Sequence, residues 1–258
     1  MRWSDLTTRD VDALARTTPV VLNIAAVEQH GPHLPVDTDS TIGAHFLERL
    51  DTELGENVLT LPQIAVGCSD HHRDFTGTLS VGHETFIAYA GDIARSVMGD
   101  GFQALLILNS HGGNRGAGQV LLEKLGPSYP DRQIALATWW QLAAEPLTQL
   151  RESAPGGVNH AGEFETSLML HIAPERVRRD LIGGHSYAAT HAWADADMLH
   201  PAQATLYRSM RAMSDGRGTV GDPSLASADK GRRISEAVVK ELCTVVGDLH
   251  DAATRQAP

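Results

Sequence analysis

Pro19-Val-Val-Leu-Asn-Ile-Ala-Ala-Val27, running straight into Glu28-Gln-His-Gly-Pro-His-Leu-Pro35, is the stretch on which the fold turns. A nearly continuous apolar run rich in β-branched residues reads as a strand buried on both faces, and the loop after it is rich in Gly, Pro and His. The same alternation recurs along the chain. Ala104-Leu-Leu-Ile-Leu108 is a short buried strand that turns sharply into Asn109-Ser-His-Gly-Gly-Asn114, and Gln133 to Thr138 is another, ending in Trp139 and Trp140. Val58 to Val66 is a further apolar segment, interrupted by Pro62. Helical spacing appears between them, over Thr8 to Arg16, Thr41 to Leu54, His83 to Met98, Arg115 to Leu125, Glu163 to Ile172 and Ile234 to Leu249. Strands alternating with helices of this length predict an α/β fold with a mostly parallel sheet covered on both faces. No repeat, low-complexity stretch or linker divides it, so residues 1–258 read as a single domain.

The composition fits that reading and narrows the function. With 258 residues, 42% hydrophobic and 21% charged, the chain can bury a full core without staples. Its net charge of −11 has the wrong sign for a nucleic-acid groove or an anionic membrane surface. No apolar run reaches the roughly 18 residues of a membrane helix. Met1 to Asp12 has no apolar core of a secretory signal. Two cysteines, Cys68 and Cys243, make no disulfide framework. A cytoplasmic address is expected.

Thirteen histidines are unusual, and several sit in loops rather than scattering: His30 and His33, His71 and His72, His111, His160. Open α/β sheets bind ligands beyond the carboxyl ends of their strands, which is where Glu28, His30 and His111 fall. Glu28 and His30, two residues apart in an extended segment, point the same way. Asp39 follows just before a predicted helix and can reach back over the loop. Glu28, His30, Asp39 and His111 together are a set of mixed oxygen and nitrogen donors for Zn²⁺ or Mn²⁺, with Fe²⁺ equally suited. One carboxylate can bridge two such ions about 3.5–4 Å apart. His160 and Glu163, three apart at a predicted helix start, share a face. Glu163 is therefore expected to complete a second metal site and His160 to pass a proton, while Glu165, on another face, packs structurally. The polar loop His71, His72, Arg73 and Asp74 lines either the substrate pocket or the surface. Gly112 and Gly113 allow close backbone approach. Trp139 and Trp140 offer an aromatic wall to a small planar substrate, with one of them a candidate for the core. A phosphate cradle after the 104–108 strand lacks both the dinucleotide glycine pattern and a Walker lysine.

Taken together, Glu28-Gln-His-Gly-Pro-His-Leu-Pro, Asp39, His72-Arg-Asp-Phe-Thr-Gly-Thr-Leu-Ser, Asn109-Ser-His-Gly-Gly-Asn, His160-Ala-Gly-Glu-Phe-Glu-Thr-Ser and Gly218-Thr-Val-Gly-Asp-Pro resemble the creatininase (creatinine amidohydrolase) family, in the family's order and over about residues 20 to 235. The resemblance implies a three-layer α/β/α sandwich. It also implies a two-metal hydrolase of amide-type C–N bonds, often a hexamer, acting on a small-molecule amide. By motif, Glu28, His30, Asp39 and His111 are implied ligands, with Asp39 bridging. Creatininase carries a glutamate where this chain has Gly113, and relatives with His-Gly-Gly carry the acid of His-Ala-Gly-Glu, here Glu163. The aromatic residue that closes over creatinine corresponds here to the stretch Pro155-Gly156-Gly157. The implied chemistry is attack by a metal-activated water, an oxyanion held by metal charge and by amides near Gly112 and Gly113, and protonation of the leaving nitrogen by His160. Cyclic amides, formamides of pyrimidine nucleotides and a short peptide are the substrate classes within the family. Outside it stand a non-catalytic metal- or nucleotide-binding protein and a structural subunit.

Overall fold

The computed structural model describes residues 1–187, 191–214 and 216–256. Four strands form one sheet: β1 (Val20–Ile24), β2 (Leu59–Thr60), β3 (Ala104–Asn109) and β4 (Gln133–Thr138). Among the described residues nine α-helices pack around it: α1 (Thr8–Ala13), α2 (Thr38–Leu54), α3 (His83–Gly99), α4 (Arg115–Leu125), α5 (Trp139–Leu142), α6 (Ala144–Leu150), α7 (Glu163–Ile172), α8 (Met210–Met213) and α9 (Ala228–Gln256). All pairings are parallel and the strand order is β2-β1-β3-β4. The chain winds outward from β1 to β2, then returns to lay β3 on the other side of β1. The resulting switch point opens a crevice beyond the carboxyl ends of β1 and β3.

Every residue of β1 and β3 is buried, as the unbroken apolar runs predict. Side chains alternate between two cores. Val20, Leu22 and Ile24 pack with Leu105 and Ile107 against α3 and α4 through Phe86, Ala90 and Leu121. Val21, Leu106 and Leu108 pack on the opposite side against α2, α7 and α9 through Phe46, Leu50, Phe164 and Leu242. These are the three layers expected. The second apolar segment forms only the short strand β2, because Pro62 has no N–H to donate to a ladder. Helix α9 begins at Ala228, six residues before its apolar periodicity, and crosses α7 so closely at Gly231 that a Cβ there would lie 1.9 Å from the Ser167 carbonyl oxygen. No described helix is long and apolar enough to cross a membrane.

Candidate metal centre

The switch-point crevice gathers Glu28 and His30 from the loop after β1 and His111 from the turn after β3. Asp39 comes from α2, which starts at Thr38 and thus places Asp39 inside its first turn rather than ahead of it. His160 and Glu165 arrive from the turn before α7 and from α7 itself, and all six side chains are buried. Asp39 divides its carboxylate between two imidazoles: Oδ1 lies 3.3 Å from His30 Nε2 and Oδ2 lies 2.9 Å from His111 Nδ1. Glu28 Oε2 stands 3.3 Å from His111 Nε2, and Glu165 Oε2 stands 3.8 Å from His30 Nε2. Glu28 Oε1 faces His72 Nε2 at 3.2 Å and His160 Nδ1 at 3.5 Å.

The surroundings fix these rings. His30 Nδ1 donates to the Glu28 carbonyl at 3.0 Å, which turns the Nε2 lone pair toward Asp39 and Glu165. His160 Nε2 donates to the Gln29 carbonyl at 2.7 Å and leaves Nδ1 free on the crevice side. The Gln29 side-chain amide donates to His72 Nδ1 at 3.0 Å, and its oxygen accepts the Gly31 N–H at 3.0 Å. Ala161 is the single described non-glycine residue with positive φ, at 52°. That left-handed turn costs about 1–2 kcal/mol, and it directs the Ala161 N–H onto Glu165 Oε2 at 2.6 Å. The Gly218-Thr-Val-Gly221 loop braces the same turn: Val220 N–H donates to the His160 carbonyl at 2.8 Å, and a Cβ at Gly221 would lie 2.6 Å from the Gly157 carbonyl oxygen.

The donor set fits divalent cations. Glu28 Oε2, His30 Nε2 and Asp39 Oδ2 are fully buried and lack a hydrogen-bond partner, and each aims at the space between the carboxylates. Three buried carboxylates share this space with no lysine or arginine paired to any of them among the described residues. Buried charge in that density calls for cations. Glu28, His30 and Asp39 offer ligand atoms within 4.8 Å of one another, as do His30, His160 and Glu165. Mixed imidazole and carboxylate donors suit Zn²⁺, Mn²⁺ and Fe²⁺.

Charge in the metal-free centre is distributed accordingly. Burial opposes charge on Asp39, but the His30 and His111 rings outweigh it and hold its carboxyl below the usual range. Burial resists protonation of His30, yet Asp39, Glu165 and Glu28 raise it to about 10. His111 is raised likewise to about 9 by Glu28 and Asp39. Burial pushes Glu28 and Glu165 above the usual carboxylate range, with Asp39 adding to the effect. Burial keeps His72 and His160 neutral, each well below the ordinary imidazole value. Two protonated imidazoles therefore occupy the cation positions at neutral pH and must lose their protons when metal enters. Both remain protonated through pH 8, so apparent metal affinity is expected to climb about tenfold per displaced proton per pH unit between pH 6 and 8. Calorimetric titrations in buffers of different ionisation enthalpy should count two or more protons released. A pH-independent affinity would contradict the charge assignment.

The structure corrects one expectation sharply. Glu163 does not reach the centre: its carboxylate accepts the Glu152 and Ser153 N–H groups at 2.9 Å each and pairs with Lys230 Nζ at 2.5 Å. Residues 160–162 are not helical, so the shared face inferred for His160 and Glu163 does not exist. Counted from the true helix start, it is Glu165 that turns inward. Trp139 is core, fully buried against Phe46 with ring centroids 5.9 Å apart, while Trp140 lines the crevice. Gly112 also lines it, whereas Gly113 presses on the Cys68 carbonyl, 2.1 Å from where its Cβ would stand. His33 turns away to Thr166 Oγ1 at 2.9 Å. Glu165 and Gln29 are the participants that pattern reading does not find, and His71 lines the crevice. The cavity beside the centre holds about 220 Å³, and Trp140, Met198, Met210 and Met213 form its apolar wall.

Known proteins resemble this chain in sequence and in fold. The sequence model of one family, described as Creatininase: Creatinine amidohydrolase, matches residues 4–246. The chain is 33% identical over 242 residues to the mycofactocin precursor peptide peptidase of Mycobacterium tuberculosis, covering 88% of this chain and 84% of that one. It is 25% identical over 242 residues to the creatinine amidohydrolase of Pseudomonas putida, covering 88% of both. Among solved structures, a mutant creatininase of Zn-Zn type superposes with a TM-score of 0.77 at 24% identity, covering 96% of this chain and 97% of that one.

Proposed function

The chain belongs to the creatininase family of hydrolases, and we propose that it hydrolyses a small amide C–N bond at a centre of two divalent cations, Zn²⁺ or Mn²⁺. The observation that carries this reading is the convergence of the partnerless Glu28 Oε2, His30 Nε2 and Asp39 Oδ2 on one buried space. Asp39 would be shared between the two ions, Glu28 and His111 would hold one of them, and His30 and Glu165 would hold the other. Cations bound there supply Lewis acidity, which acidifies a water and polarises an amide carbonyl. The hexameric assembly and the cytoplasmic address implied by the sequence belong to the same reading.

The protein's own groups do the rest. His160 is neutral and presents Nδ1 to the cavity, so it can take a proton there from the attacking water and return it to the departing nitrogen. Glu28 Oε1, 3.5 Å from Nδ1, stabilises the transient imidazolium. His72, locked by Gln29, holds the other side of the same carboxylate oxygen and keeps Glu28 Oε2 pointed at the ion. Trp140 and the methionine wall exclude water and bed an apolar face of the substrate.

A second reading, a short peptide with a free carboxylate, is favoured by Arg115. It is the one lysine or arginine among the residues lining the cavity, is exposed, and its side chain makes no ion pair or hydrogen bond among the described residues. A guanidinium there suits a carboxylate bidentately. A screen of the Zn²⁺- and Mn²⁺-loaded protein against cyclic ureas, formamides, and peptides with free or amidated C-termini tests both readings. Turnover abolished by chelator and restored by metal is expected. Cleavage of free-carboxylate peptides but not their amides selects the second reading. No turnover of any class defeats the enzyme assignment.

A further inference from the structure

His71 stands beside the centre with no role in it so far. It lies in a single 3-10 turn, Asp70–His72, that is firmly anchored: Asp70 Oδ1 accepts from Arg73 Nε at 2.6 Å and from Ser80 Oγ at 2.8 Å, and Ser80 Oγ accepts the Ser69 N–H at 2.8 Å. His72 turns inward to Glu28 and Gln29. His71 takes the opposite side, stacked on His111 with ring centroids 5.8 Å apart and planes 18° from parallel. A ring nitrogen of His71 lies within 4.8 Å of ligand atoms of both Glu28 and His111. Neither ring nitrogen of His71 has a hydrogen-bond partner among the described residues. The ring is half-buried and lines the cavity.

Gly113 explains how the imidazole fits. A Cβ at that position would stand 2.4 Å from His111 Nε2 and 2.9 Å from His71 Cε1. No side chain can therefore enter from residue 113, and the His71 ring fills the space such a chain would need. An ion held by Glu28, Asp39 and His111 would have three protein ligands, and four-coordinate sites of these metals use a fourth donor from protein, water or substrate.

We propose that His71 is a protein ligand of the ion held by Glu28, Asp39 and His111, entering from the 70–72 turn at the position that Gly113 keeps clear. The assignment rests on the two-cation reading above and deepens it. A neutral imidazole there leaves the centre one unit more positive than a carboxylate would, so it demands less of the metal's charge and leaves more to act on substrate.

The test uses metal-free protein reconstituted with Co²⁺, for the wild type, His71→Ala and His71→Gln. Stoichiometry is read by elemental analysis, affinity by chelator competition, and ligand set by the visible d–d spectrum. Wild type is expected to bind two equivalents. His71→Ala is expected to keep one unchanged and to hold the other about 100-fold more weakly, on the scale that loss of a supporting group already costs a metal site. Its d–d bands should shift, and added imidazole should restore them. Matching melting curves of the metal-free proteins exclude a folding defect. Two tightly bound ions with an unchanged spectrum in both variants overturn the His71 assignment alone. Fewer than two ions in the wild type overturns the two-cation reading and the assignment with it.

Discussion

Asp39→Ala is expected to lose both equivalents of metal and at least about 10³-fold in kcat/KM, because in the proposed centre this one side chain would serve both ions. The several kcal/mol that cations contribute to transition-state charge disappear together, at 1.36 kcal/mol per factor of ten. The geometry fits a shared role, since Oδ1 faces His30 and Oδ2 faces His111. The fold survives it. Asp39 lies in the first turn of α2, where a carboxylate contributes about 0.3–1 kcal/mol through the helix dipole. Without it Glu165 still faces His30 and Glu28 still faces His111, so each ring keeps a carboxylate neighbour. In chelator, variant and wild type should melt within a few degrees of each other. In saturating metal only the wild type should gain, by about 2.7 kcal/mol for each ion at a hundredfold excess over its dissociation constant. Retention of one ion by elemental analysis would make Asp39 a terminal ligand, and unchanged turnover would remove the centre from the reaction.

How far the sequence alone reaches can be judged on particular residues. Val20–Ile24 and Ala104–Asn109 were legible because a strand covered on both faces must be apolar at every position. Their loops then fell at the switch point by topology, which is why Glu28, His30 and His111 could be placed together before any coordinates. Helix starts were less legible. Thr38, Asp39 and Ser40 are buried polar residues whose place in α2 is set by the site rather than by apolar spacing. The larger miss was at His160. Helical spacing was counted from a residue that precedes the helix, across an Ala161-Gly162 pair whose backbone is not helical. A glycine just ahead of an acid-rich helix start is the available signal, and it says to count the phase from Glu163. Lys230, which draws Glu163 away, is 67 residues downstream and has no local signature. His71 was open to either reading, since a turn of Asp, His, His and Arg is equally at home in solvent.

Glu165 and Glu163 form a crossed pair of variants. Glu165→Gln should lose the ion at His30, keep the ion at Glu28 and His111, and drop turnover about 100-fold or more, while the Ala161 N–H still finds an amide oxygen where it now meets Glu165 Oε2 at 2.6 Å. The turn therefore holds, and stability in chelator should barely change. Glu163→Gln should do the reverse. It leaves the Lys230 ammonium buried with only the exposed Glu152 and the Leu225 carbonyl as anionic or polar company. Breaking a buried pair from one side costs about 3 kcal/mol or more, which for a chain of this size is a fall of roughly 6–12 °C in melting temperature. Both ions should remain, and turnover below the melting range should stay near wild type. The two glutamates are two residues apart on one helix, so nonspecific damage to α7 would affect both variants alike and cannot produce the crossing. Metal loss in Glu163→Gln with retention in Glu165→Gln would return the ligand role to Glu163 and require α7 to be turned about its axis.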